Sequence, residues 1–261
     1  MNVEVAARVW AESLAPVADT MLDLARPIPG ERVLDVGAGA GQLALEIAAS
    51  VGPSGEVLAV DPSADAVAAI ERRATEARER APVRALRATA ESLDVGDTRF
   101  DLAVSRNSVM YFADLERGLA NIRRALRAGG RFVASVYGPL ADEPFHAIPL
   151  AAVRRRTLLM RPLPEYAAAF ALGADELESA LLASGWQSVS RREVPVQRTF
   201  VSLDELKDAL RGSRSLAELL GRLSDAGQAE AWREIAAAFA PYSGSSGVVI
   251  PGRQVVLAAT A

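Results

Sequence analysis

Residues 33–42 read Val33-Leu34-Asp35-Val36-Gly37-Ala38-Gly39-Ala40-Gly41-Gln42, a short aliphatic run that carries one acid and then breaks into alternating glycines. The aliphatic run predicts a buried strand, the glycines a tight turn whose backbone a ligand can approach closely, and the residues after Gly41 the start of a helix. Such a junction sets an acid near the strand end, Asp35, beside the unpaired N–H groups of a helix N-terminus. Outward from it the same alternation repeats: strand Arg32–Val36, helix from about Gly41 to Ser50, strand Glu56–Val60, and helix from about Ser63 to Arg80. Strands Val83–Arg87 and Phe100–Ser105 follow, then a helix from about Leu115 to Arg127 stopped by Gly129-Gly130, and strand Arg131–Tyr137. Alternation of this kind specifies an α/β fold with a doubly wound, mostly parallel seven-stranded sheet.

The last third changes character. Asp175–Ala183 reads as a helix, Gln187–Phe200 as a strand, Leu203–Ala240 as a long helical stretch, and Val248–Ala258 as a terminal antiparallel strand. With no repeat or low-complexity linker, residues 1–261 read as a single domain, in which 1–30 form an N-terminal helical cap and 139–173 and 202–246 are helical cap insertions. Loops after the carboxyl ends of strands face the ligand crevice of a doubly wound sheet, so both insertions are expected to roof a substrate site.

Composition narrows the chemistry. The chain has 261 residues, half of them hydrophobic, and a formal net charge of −4, so it lacks the positive field with which phosphate-backbone binders steer nucleic acid. With no cysteine, disulfides, thiolate metal sites and thiol nucleophiles are excluded, and no metal site is expected. No apolar span approaches the roughly 18 residues a membrane crossing needs, and no basic leader opens the chain, so the expectation is a cytoplasmic protein acting on a small molecule. No motif bears on its oligomeric state.

The glycine spacing separates two cofactor classes. The dinucleotide fingerprint is G-x-G-x-x-G, whereas here the order is G-x-G-x-G with Gln42 where the third glycine of that fingerprint would fall, which favours S-adenosylmethionine over NAD. Roughly 20 residues further on, Leu58-Ala59-Val60-Asp61-Pro62 ends the second strand in an acid, which can accept both hydroxyls of a ribose or belong to the N-cap region of the next helix.

These segments resemble the class I S-adenosylmethionine-dependent methyltransferases, in the branch of the ubiquinone and menaquinone C-methyltransferases. The resemblance is carried by VLDVGAGAGQLALEIA (33–48), VLAVDPS (57–63), ATAESLDVGDTRFDLAVSRNSVMYFADL (88–115) and NIRRALRAGGRFVASVYG (121–138). It implies S-adenosylmethionine as cofactor and S-adenosylhomocysteine as product. It places Asp35, Gly37, Ala38, Gly39 and Gln42 around the methionine part, Asp61 and Pro62 at the ribose, Thr89, Ala90 and Glu91 at the adenine, and Ser105 and Arg106 beside the sulfonium. Thr89 stands where related sequences carry an acid for the adenine amino group, and Glu91 serves either the adenine or the cap of a short helix. The last third resembles an actinobacterial-type branch of the family through Glu143-Pro144-Phe145, Phe170-Ala171-Leu172-Gly173 and Gly185-Trp186.

Methyl transfer is an in-line displacement at a sulfonium, so alignment in a dry pocket carries most of the catalysis, and a base is needed only for a protonated nucleophile. His146, the sole histidine, is either that base or a packing residue. Tyr111 and Tyr137, near the carboxyl ends of the fourth and fifth strands, either meet the substrate or pack. Trp10, Met110, Phe112, Phe145 and Tyr166 are candidates for an apolar pocket, and Arg154-Arg155-Arg156 either greets an anion or forms a solvated helix face. The same fold and cofactor also suit a cyclisation or rearrangement without methyl loss; an NAD-dependent oxidoreductase is disfavoured by Gln42.

Overall fold

The structure is a computed structural model that describes residues 3–75, 81–156, 169–245 and 247–261. In chain order the elements are α1 (Val3–Ala25), β1 (Arg32–Val36), α2 (Gln42–Val51), β2 (Glu56–Asp61), α3 (Ala64–Thr75), β3 (Val83–Arg87), β4 (Phe100–Arg106), α4 (Leu115–Ala125), β5 (Leu126–Tyr137) and α5 (Pro144–Arg154). They continue with α6 (Ala174–Ala183), β6 (Gln187–Phe200), α7 (Leu203–Arg211), α8 (Arg214–Leu220), α9 (Asp225–Phe239), β7 (Ser243–Gly244) and β8 (Gly247–Thr260). The chain forms two compact units. One comprises Met1–Pro16, Gly138–Ala171 and Pro195–Gln254, and the other Val17–Tyr137, Leu172–Val194 and Val255–Ala261.

The second unit holds the parallel sheet. β1 pairs in parallel with β2 and β4, β2 with β3, and β4 with β5, within an overall strand order β3-β2-β1-β4-β5-β8-β6. The α/β architecture predicted from the alternation is therefore present, with a two-residue β7 added beside β8. β8 runs against β5, as the bonds from Gly129 N to Ala261 O (3.1 Å) and from Ala261 N to Gly130 O (2.8 Å) require. β1 has both faces covered, which is why its sequence is nearly continuous in aliphatic residues. Leu34, Val36, Phe100, Leu119, Ile122 and Phe132 join one buried cluster, with Trp186 at 5.1 Å from the Phe132 ring. Chain connection reverses between β1 and β4, so the carboxyl ends of these two strands form the switch point at which such sheets take ligands.

Two boundaries differ from the sequence reading. α4 ends at Ala125, and Leu126–Gly130, expected as the helix end and its glycine stop, are extended. Gly129, at φ +72°, and Gly130 form an irregularity inside β5 where the register against β4 shifts, and their backbones are tied to Ala261. The long stretch 203–240 is three helices. Each begins on a serine cap: Ser202, Ser213 and Ser224 accept from the N–H groups of Glu205, Leu216 and Gly227.

The first unit is mostly helical and contains most of both predicted insertions. Its core joins Phe145, Phe200, Leu206, Leu210, Ile235, Phe239 and Ile250, with the Phe145 and Phe200 rings stacked at 6.1 Å. Among the described residues no helix is long and apolar enough to cross a membrane.

Candidate functional site

The glycine loop closes over the end of β2. Gly37 N and Ala38 N donate to Val60 O at 2.7 and 3.0 Å, Gly41 N donates to Ala38 O at 2.9 Å, and Gly39 N donates to Asp61 Oδ2 at 2.9 Å. The Gly37, Ala38 and Gly39 amides are thus spent on β2, and what the loop offers is its closely approachable backbone. Gly37, Gly39 and Gly41 all have φ between +54° and +79°, the left-handed region open to glycine. A Cβ on Gly39 would meet nothing within 4 Å, so this glycine faces open space, whereas a Cβ on Gly37 would lie 1.7 Å from Ser108 Oγ and 2.4 Å from its Cβ. Asp61 also accepts from Ser63 N at 2.9 Å through Oδ1, which fixes the carboxylate while leaving each oxygen a second lone pair.

Asp35 lies at the centre of this arrangement, between Ala59 of β2 and Val104 of β4. It is buried, and its Oδ2 has no hydrogen-bond partner. Burial pushes its carboxyl up to about 7, the Arg106 guanidinium pulls it down, and the Asp61 carboxylate adds to the rise. An orphaned buried carboxyl oxygen at this junction calls for a cationic or hydrogen-bonding group.

The residues that the resemblance assigns to the adenine are held by hydrogen bonds within the chain. Thr89 and Ser92 close a turn on each other, with Thr89 N donating to Ser92 Oγ (3.0 Å) and Ser92 N to Thr89 Oγ1 (3.2 Å). Glu91 Oε1 accepts from Asp114 N at 3.2 Å, just before α4. Burial pushes the Glu91 carboxyl up, but hydrogen bonds from the Thr89 hydroxyl and the Asp114 and Ala113 backbones outweigh it and hold the pKa below the ordinary range. Asn121 of α4, given no role of its own in the sequence reading, positions this turn: its Nδ2 donates to Ala90 O and Glu91 O, both at 2.9 Å. Ser105 donates from Oγ to Val36 O at 2.9 Å and joins β4 to β1. Asn107, at φ +52°, is held by Ser135 Oγ, which accepts from Asn107 N and donates to Asn107 Oδ1, both at 3.0 Å. Gln42 is exposed and donates to Glu46 at 2.8 Å, and Pro62 is exposed after β2.

Comparison with known proteins bears on this site. Residues 33–130 match the family model described as a methyltransferase domain. The matched span runs from β1 into β5 of the chain. Its relatives include the aklanonic acid methyltransferase of a Streptomyces species, 31% identical over 48% of this chain and 56% of that protein, and the nocamycin O-methyltransferase of Saccharothrix syringae, 33% identical over 60% and 55%. The chain spans about half the length of such curated relatives. Among solved structures the fold is similar to the YcgJ protein of Bacillus subtilis, with a TM-score of 0.61, 20% identity, and 93% of this chain and 97% of that one covered. It is also similar to the [4+2]-cyclase SpnF, with a TM-score of 0.58, 21% identity, and 93% and 79% covered.

The other predicted residues divide. Tyr111, on a one-turn 3₁₀ helix after β4, is half exposed at 53%, and Tyr137 ends β5 partly covered. His146 belongs to the first unit, where its ring lies 5.2 Å from Phe145 and 5.4 Å from Phe170. Burial and the nearby Arg198 guanidinium lower its pKa to about 3, so it is neutral throughout the physiological range. Arg155 and Arg156 both pair with Glu234 of α9. Tyr166 lies outside the described residues. No cluster of His, Asp or Glu with metal-holding geometry occurs among the described residues.

Proposed function

We propose that the chain is an S-adenosylmethionine-dependent methyltransferase acting on a small molecule. The observation that carries this reading is the junction of Gly39, Asp61 and Asp35 within residues matched to the methyltransferase domain: an open glycine, a fixed carboxylate and an orphaned buried carboxyl. In this reading Asp35 receives the ammonium of the methionine moiety, Asp61 accepts the ribose hydroxyls, Gly37 to Gly39 give the ligand backbone contact, and Ala90-Glu91, with Thr89, border the adenine. When bound, S-adenosylmethionine supplies an electrophilic methyl carbon. In the same reading Arg106 helps to set the ionisation of Asp35, and Tyr111 borders the acceptor. Relatives whose names specify aklanonic acid and nocamycin support an acceptor of natural-product type.

Calorimetric titration of cofactor-stripped protein tests the reading. S-adenosylhomocysteine is expected to bind with micromolar affinity and NADH not at all; the reverse preference overturns the assignment. Because the same fold serves a [4+2]-cyclase, product mass then decides the reaction, and a product without an added CH₂ unit overturns methyl transfer. Asp61→Ala is expected to weaken S-adenosylhomocysteine about five- to thirtyfold, the equivalent of ~1–2 kcal/mol for lost hydrogen bonds to a carboxylate. Asp61→Asn, which keeps the shape and one acceptor, should lose less, and equal affinity in all three proteins would remove Asp61 from the ribose.

A further inference from the structure

One face of α4, within the second unit, is shaped to hold the Thr89–Ser92 turn. Asp114, which caps the helix, Gly118 and Asn121 follow one another at spacings of four and three residues and so share that face. Asp114 N donates to Glu91 Oε1 at 3.2 Å. At Gly118 a Cβ would lie 3.2 Å from Ala90 Cβ and 2.6 Å from Phe112 Cδ2, so the missing side chain lets the turn and the Phe112 ring settle against the helix. Asn121 completes the contact, its Nδ2 donating to Ala90 O and to Glu91 O, both at 2.9 Å.

The Asn121 amide is used almost to capacity. Its two N–H groups are shared between two successive carbonyls, and its Oδ1 accepts from Arg124 Nη2 at 2.9 Å, so the amide cannot turn over without losing all three bonds. Because peptide groups are planar, holding both carbonyls fixes the two peptide planes that run from Ala90 to Ser92. The turn does not need this grip in order to close. Thr89 and Ser92 bond each other through their hydroxyls and amides, and Ser92 N and Leu93 N donate to Thr89 O and Ala90 O at 3.3 and 3.4 Å. What Asn121 adds is a fixed place for the turn against α4. With the Thr89 side chain engaged by Ser92 and the Glu91 side chain by Asp114, what this turn presents to a ligand depends on where its backbone is held. Recognition of a particular base tolerates displacements of only roughly 0.5 Å.

We propose that Asn121 is a positioning residue for base recognition: by gripping the Ala90 and Glu91 carbonyls it sets the preference of the cofactor site for adenine over bases with a different hydrogen-bonding pattern. The proposal rests on the cofactor reading above, in which Ala90-Glu91 borders the adenine. Asn121 acts through the backbone it holds, so its own burial is part of the role and no ligand has to reach it.

The probes are S-adenosylhomocysteine and S-inosylhomocysteine, titrated calorimetrically into the full chain. They share the ribose and the amino acid and differ only in the base, where an oxo group and a protonated ring nitrogen replace the amino group and bare nitrogen of adenine. Wild type is expected to prefer the adenine ligand by about tenfold or more, as sites that hydrogen-bond a specific group do. Asn121→Asp keeps the shape but offers the two carbonyls no donor, and should narrow the preference to about threefold or less. Arg124→Ala, at an exposed position, leaves Asn121 in place but frees its amide to rotate, and should narrow the preference about two- to threefold, which keeps the test decisive if Asn121→Asp does not fold. Asp61→Ala is the control, expected to weaken both ligands alike because both carry the ribose. A merely structural Asn121 would lower the melting temperature, or both affinities in parallel, with the wild-type preference intact in both variants; that result overturns the role of Asn121 and leaves the cofactor reading standing. Wild type that does not distinguish the two bases overturns the proposal as well. Protein that binds neither ligand overturns the cofactor reading and the proposal with it.

Discussion

Gly37→Ala is expected to lower the melting temperature by about 5–10 °C and to remove measurable S-adenosylhomocysteine binding. Two effects add. The first is the backbone: a φ of +74° costs an alanine about 1 kcal/mol that glycine does not incur. The second is steric, since the new Cβ would sit 1.7 Å from Ser108 Oγ and 2.4 Å from Ser108 Cβ. Rotation of the serine relieves the hydroxyl overlap but not the Cβ overlap, so the 3₁₀ turn after β4 and the glycine loop must separate, at the ~1–3 kcal/mol typical of overpacked sites. For a chain of this size each kcal/mol shifts the midpoint by about 2–4 °C. Binding suffers more than stability because the loop that moves is the one the ligand approaches. The double variant Gly37→Ala/Ser108→Gly empties the contested space and leaves only the backbone effect. Recovery of more than half the lost stability in that variant would confirm the contact, and a single variant as stable as wild type would show that loop and turn do not meet as described.

That Gly37 needs to be glycine was legible; why it does was only half legible. Alternating glycines after a buried strand announce positive φ angles, and three of them have such angles. The contact with Ser108 comes from a residue far along the chain, brought in by the β1–β4 pairing, and no local pattern reveals it. The same division runs through the molecule. β1, β3 and β6 carry the bounds read from their residue patterns, because burial writes itself into strand periodicity. The stretch 203–240 reads as one long helical stretch because its apolar spacing continues, yet Gly212-Ser213 and Gly221 followed by Ser224 are visible stop and start signals, and Ser213 and Ser224 each cap a new helix. Asp35 and Asp61 could be picked out because an acid ending a strand is conspicuous. Asn121 and Arg198 could not. One is a polar residue on an ordinary amphipathic helix and the other an arginine in an alternating strand, and their roles arise from what lies across from them: the Ala90-Glu91 carbonyls for the first, Glu143 and two aromatic rings for the second.

Asp35→Asn is expected to stabilise the ligand-free protein and to disable it. In the folded chain burial lifts the Asp35 carboxyl to about 7 from its ordinary 3.8, so the folded state holds a proton that the unfolded state has already released. Stability therefore falls as the pH rises from about 4 to about 7 and levels off above, once both states are ionised. Asparagine carries no such charge. The variant should match wild type near pH 4, gain steadily through that window, and above pH 7 melt several degrees higher, since the buried, partnerless oxygen no longer bears a charge. Binding should move the opposite way. The ammonium of the cofactor would meet the ionised carboxylate in wild type, so S-adenosylhomocysteine affinity should rise between pH 6 and 8 with release of about one proton, whereas in Asp35→Asn it should be nearly flat across that range and about 10- to 150-fold weaker at pH 8, the equivalent of ~1.5–3 kcal/mol for a hydrogen bond between charged groups. Thermal unfolding and calorimetry over one pH series read both effects on the same samples. If the variant lost affinity without gaining stability, Asp35 would have to be ionised and satisfied in the free protein. If it gained stability without losing affinity, the buried carboxylate would have no part in holding the ligand.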